Sequence, residues 1–117
     1  MIKGLGEFYP RVGDGKREAS PSKGFVFSIP FEKEEDAAKY AGLGEFIIHY
    51  VAFEKDMITY QVSHRETGAG FKDTIAVCIF KCYATACFII GQKADAIMVQ
   101  LEKMREQDAK KVEVVGS

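Results

Sequence analysis

Two histidines and two glutamates are the residues of this chain best suited to chemistry. If the run that starts at Glu45 pairs with the run that ends at Arg65 so that Phe53 faces Ile58 and His49 faces Val62, one sheet face carries Ile47, His49, Val51, Ile58, Tyr60, Val62 and His64. His49 and His64 are then diagonal neighbours on adjacent strands, with Glu45 and Glu66 opposed near the same end. Imidazole and carboxylate are the ligand types of Zn²⁺ and related transition metals, and a sheet edge would leave a coordination position open. Metal-site signatures of real specificity are spaced more tightly than this. A metal-dependent enzyme using His49, His64, Glu45 and Glu66 is therefore the third functional expectation, and no cofactor is expected.

Cys78, Cys82 and Cys87 are an odd set without a CxxC pair, all inside the apolar run over residues 75–90. Free cysteines in such a setting are expected to behave as small buried hydrophobes, unpaired and mostly inert, which fits a reducing cytoplasm. Cys78 and Cys82, four apart, would share a helix face, but thiol catalysis needs exposure and an electropositive neighbour. No GxSxG, HExxH or P-loop pattern is present to name a reaction. The catalytic residues are therefore left unassigned, and an enzyme is placed behind a non-enzymatic domain.

Residues 1–23 read as a flexible basic arm. Five of the eleven glycines and two of the three prolines fall within residues 1–24, and Lys3, Arg11, Lys16, Arg17 and Lys23 outnumber Glu7, Asp14 and Glu18. Beside nine Phe and five Tyr, such an arm is the material of a single-strand nucleic-acid binder. The stretch over residues 46–90, two strands with a His-x-x-Thr-Gly turn and then the helix FKCYATACFII, resembles phage single-strand annealing proteins of the Erf kind. That resemblance covers under half of the chain, lacks the Arg-rich helix of that family, and implies single-stranded nucleic acid as the competing partner.

The elements that must hold these residues follow from periodicity. Strands are predicted over 24–29, 45–54 and 57–65, with a turn around Glu54–Met57, and a short helix over 32–41 that has Glu34, Glu35 and Asp36 near its start. Over 75–90, propensity favours a strand. The 7-4-7 spacing of Thr74, Lys81, Thr85 and Gln92, however, places them in a stripe roughly 40° wide on a helix and on both faces of a strand. A helix is therefore predicted from about Asp73 to about Lys110, either continuous or kinked at Gly91, and the tail KVEVVGS is read as an edge strand or a frayed end.

The expected fold is one α+β domain over 1–117, its core from residue 24 onward. In it a small antiparallel sheet of about three strands is covered by a short helix and a long, largely buried C-terminal helix. A net charge of −1 with 28% charged residues excludes a strongly basic nucleic-acid binder. The 16-residue apolar run contains Lys81 and is shorter than the ~20 residues a membrane span needs, so no membrane is expected as a partner. The run is apolar around most of its circumference, which leaves surface for a second copy. A homo-oligomer through Ile79, Tyr83, Ile90, Ile97, Leu101 and Met104 is expected, acting as an intracellular interaction or regulatory domain with room for a further protein partner.

Overall fold

The structure is a computed structural model that describes residues 2–13, 15–52 and 57–116, with side chains as far as residue 110. The element order is β1 (Ile2–Phe8), β2 (Ser22–Ser28), α1 (Glu34–Lys39), a 3-10 turn (Ala41–Leu43), β3 (Glu45–Val51), β4 (Thr59–His64), β5 (Gly70–Ala76), α2 (Ile79–Gln92) and α3 (Ala94–Gly116). The strands form one antiparallel meander in chain order, β1-β2-β3-β4-β5. The α+β class stands. The expected layout does not: the sheet has five strands rather than three, and in place of a single long C-terminal helix the two-helix alternative is found, joined at Lys93 and not at Gly91.

Each extra strand has a physical reason. β1 lies in the segment expected to be a flexible arm, and Gly6, which reads as loop there, marks a close approach instead. A Cβ at Gly6 would sit 2.6 Å from Val26 Cγ2 and 3.0 Å from the Arg65 guanidinium. β5 takes the residues expected to start the helix. Thr74 belongs to it and not to the helical polar stripe, and its buried hydroxyl accepts from Val62 N–H (2.9 Å) and donates to Phe71 C=O (2.6 Å). This side-chain bond bridges the irregularity between Tyr60 and Val62 in the β4–β5 pairing, and a bulge of that kind blunts an edge strand.

The β3–β4 register also differs from expectation by one residue. Phe46 pairs with His64, Ile48 with Val62 and Tyr50 with Tyr60, where the expected pairing put His49 opposite Val62. A one-residue slip turns every side chain of β4 to the other face. Val62 and His64 therefore join Phe46 and Ile48, and Gln61 and Ser63 join Ile47 and His49. The residues of the expected turn, Glu54 to Asp56, and Phe53 of the expected pairing lie outside the described residues.

α2 stops at Gln92 with Lys93 as its C-terminal cap, two residues beyond Gly91, so the glycine lies inside a helix and does not break it. α3 then runs on through the segment expected to be a strand or a frayed end. Phe27, Phe46, Ile48 and Val62 on one sheet face meet Cys82, Ala86 and Ile90 of α2 and Ile97 and Leu101 of α3, which together form the main core. The opposite face holds a smaller cluster of Phe8, Val26 and Ile47. Arg11 N–H donates to Gly68 C=O (3.0 Å), so the chain leaving β1 crosses the β4–β5 turn. Gly68, at φ +74°, has no room for a Cβ beside the Tyr9 carbonyl.

Replacing Thr74 by Val keeps the shape and strands the buried Val62 N–H. The expected loss is about 1–3 kcal/mol in chemical denaturation with an unchanged m-value; an unaltered midpoint would contradict the role given to Thr74.

Candidate functional site

The histidines lie on opposite faces of the sheet, so the expected pairing of His49 with His64 is lost with the register. His64, fully buried, is held from both ring nitrogens. Nε2 faces the Leu43 carbonyl at 2.6 Å and must carry the proton, while Nδ1 accepts from the Thr67 hydroxyl at 2.9 Å and from Thr67 N–H at 3.3 Å. His49 lies under the ring of Phe8, centroid to centroid 4.7 Å. Its Nδ1 faces Tyr50 C=O at 3.2 Å, which leaves Nε2 to accept from Ser63 Oγ at 2.7 Å.

Ser63 with an orienting imidazole is the pairing that activates a hydroxyl nucleophile. Here both residues are buried, His49 8% and Ser63 2% exposed. The pair serves the small core. Ser63 and Thr67 escaped the sequence reading because their parity follows from the register and not from their spacing.

The carboxylates of the expected metal set are occupied as well. Glu45 receives Lys3 Nζ at 3.2 Å and Arg65 at 2.9 Å, and these two hydrogen bonds hold its carboxyl below the usual carboxylate range. Glu66 receives Arg105 at 2.7 Å. Among the described residues no group of three or more His, Cys, Asp or Glu is placed to hold a metal ion.

The basic residues of the expected arm divide. Arg11 binds Asp108 of α3 at 2.8 Å as well as the carbonyls of Thr67 and Gly15, and Arg17 donates to Tyr9 C=O at 2.7 Å and stands 3.7 Å from Asp108. Arg105 donates to Gly42 C=O at 2.7 Å. Together these guanidiniums tie the segment after β1, the β4–β5 turn and α3 into one joint. Lys16 and Lys23 are exposed.

The residues expected to form an oligomer interface lie mostly in the chain's own core. Ile90, Ile97 and Leu101 are buried, Ile79 and Tyr83 pack on the core, with Tyr83 edge-on to Phe27 at 5.0 Å, and Met104 is half-buried. What α2 leaves outside is a different stripe. Phe80 is 75% exposed and Phe88 65%, with exposed Ala84 between them, and Val77 and Cys78 are exposed just before the helix. Spacings of four keep Phe80, Ala84 and Phe88 on one side. Tyr50, on the sheet face of Phe46 and Ile48, is exposed, as is Ile58 just before β4. No described helix is long and apolar enough to cross a membrane.

The buried-thiol expectation holds for Cys82, whose thiol burial pushes up to about 11, and fails for Cys78. Comparison of the chain with known protein families, curated proteins and solved structures finds no match.

Two predictions follow from these environments. Burial pushes both imidazole pKa values down against the opposing pull of the Tyr50 and Leu43 carbonyls, and nearby Arg105 lowers that of His64 further. The unfolded chain therefore binds more protons than the folded one as pH falls below the ordinary imidazole value of about 6.5, and stability falls with it. Denaturation midpoints measured at pH 7.5, 6.5 and 5.5 should decline, and His64→Gln should flatten that decline. A thiol reagent applied without denaturant should modify Cys78 first and Cys82 only on unfolding; equal rates at the two would contradict the burial assigned here.

Proposed function

We propose that this chain is a small non-enzymatic interaction or regulatory domain that works as a homo-oligomer in the cytoplasm. The observation that carries the reading is the exposed apolar stripe of α2, with Phe80 and Phe88 turned to solvent while the opposite side of the same helix fills the core. A contiguous exposed apolar face of this kind marks a contact surface on a stable domain. The contact is thereby moved from the buried residues Ile90, Ile97 and Leu101 to the outer side of α2.

The hydroxyl and imidazole groups with suitable chemistry are enclosed, and the carboxylates are taken up by lysine and arginine, which favours binding over catalysis. Protein is placed ahead of single-stranded nucleic acid because Lys3, Arg11 and Arg17 are engaged in ion pairs within the chain. Three free thiols support the cytoplasmic setting.

Tyr50, Ile58, Val77, Phe80 and Phe88 at their exposures of 58–75% offer roughly 600 Å² per copy, or about 1,200 Å² across a two-fold, the lower bound for a specific interface. Sedimentation equilibrium should find the wild type dimeric at about 10–50 μM, the range of a modest interface, and the Phe80→Glu, Phe88→Glu double variant monomeric. A monomeric wild type contradicts the proposal, and salt-sensitive retention on a single-stranded oligonucleotide would favour the competing partner.

A further inference from the structure

Gln61 is a polar side chain that the sheet holds in place and leaves without a bond. It stands at the break in the β4–β5 ladder, where the pairing jumps from Tyr60 with Ala76 to Val62 with Phe71. Such a bulge re-aims the side chains beside it. A Cβ at Gly70 would run into the Gln61 amide, so the amide lies directly over the Gly70 backbone, and glycine is the residue that permits this. Among the described residues neither the Gln61 amide nor the Lys72 ammonium makes a hydrogen bond or ion pair.

Both side chains line one groove of about 430 Å³, between the turn after Arg11 and the start of β5. Arg11 lines it too. Its side chain is only 10% exposed, and its guanidinium is fixed by the carbonyls of Thr67 and Gly15 and by Asp108. No described residue lining the groove is acidic. Asp108 also stands 3.7 Å from Arg17, so two guanidiniums draw on one carboxylate. Burial, and after it the neighbouring Arg11, pushes the Arg17 guanidinium below its ordinary value, as crowded positive charge does. Val12 and Met104 add apolar surface to the walls.

We propose that this groove binds a phosphorylated small molecule, a phosphate monoester of sugar or nucleotide size. Lys72 Nζ and the Gln61 amide N–H donate to the phosphate oxygens, Arg11 supplies a fixed positive charge behind them, and Val12 and Met104 cover the organic part. A monoester near neutral pH is close to a dianion with three acceptor oxygens, which two cations and an amide donor can meet together. A carboxylate has one charge and two oxygens and uses less of the site. The phosphodiester of a nucleic-acid backbone also carries a single charge. The volume lies in the range of small-molecule sites. The groove and its ligand do not depend on the self-association proposed above.

Magnetic resonance titration of the isotope-labelled full chain tests the assignment. Ribose 5-phosphate and AMP, each added up to about 10 mM, are expected to shift the Gln61 side-chain amide and the backbone signals of Gly13, Gly15 and Gly70, and ribose to leave them in place. Inorganic phosphate is expected to bind at least about threefold more weakly than either ester, because it gains nothing from Val12 and Met104. Lys72→Ala and Gln61→Ala are each expected to weaken ester binding at least about fivefold with a thermal midpoint near that of wild type. Gln61→Glu, which sets a carboxylate in the groove, is expected to abolish it. Tighter binding of AMP supports a nucleotide as the ligand, and equal affinities support a sugar phosphate. Absence of shifts with both esters overturns the proposal, as does ester affinity unchanged by Lys72→Ala. Inorganic phosphate binding as tightly as the esters also overturns it. An oligothymidylate that shifts the same signals at about a hundredfold lower concentration than AMP would give the groove to nucleic acid instead. Should Gln61→Ala lower the midpoint, Lys72→Ala, at an exposed position, decides alone.

Discussion

His64 is the point at which the β3–β4 register, the turn that follows and the approach to β3 are tied together. Its ring is fully buried, and its two nitrogens reach the Leu43 carbonyl, just before β3, and the Thr67 hydroxyl, just after β4. A buried imidazole with either nitrogen unpaired carries a desolvation penalty, and this one has both satisfied in a single tautomer. The register that pairs Phe46 with His64 brings these partners within reach, edge-on to the Phe46 ring at a centroid distance of 5.1 Å. Register in turn decides which side chains of β4 enter the main core, and so what α2 covers and what it leaves outside.

The consequence for function runs through α2. With Val62 and Tyr60 on the helix-facing side of the sheet, Cys82, Ala86 and Ile90 find a complete partner surface within the chain. The apolar character of α2 exceeds what that surface needs, and the excess appears as Phe80, Ala84 and Phe88 on the far side. Burying a side chain such as Phe contributes roughly 1.5–3 kcal/mol. In the proposed dimer, two such residues per copy would offset part of the association cost.

The legible part of the sequence was local and periodic. The alternation of Phe25, Phe27 and Ile29 marked β2, the early carboxylates marked α1, and the spacing of Ile79, Tyr83, Ala86 and Ile90 marked the core-facing side of α2. The parts that resisted depend on tertiary contacts. Gly6 reads as loop because nothing in the sequence shows Val26 and Arg65 pressing on β1 at that position. Thr74 read as helical because its spacing from Lys81 happens to be seven, whereas its hydroxyl completes the β4–β5 ladder. The hairpin alternates on both strands, so a shift by one residue exchanges one plausible face for another. The histidine pair depends on that ambiguous register, and the sequence alone does not divide the apolar circumference of α2 into the side that enters the core and the side, with Phe80 and Phe88, that faces solvent.

The most direct test of the account is the register itself, read from interstrand NOEs in isotope-labelled protein. Contacts pairing Phe46 with His64 and Ile48 with Val62 are predicted, together with a slowly exchanging His64 Nε2–H. Contacts pairing Phe46 with Arg65 and Ile48 with Ser63 would contradict it, because they would return His49 and His64 to one face and remove the partner surface against which α2 is packed.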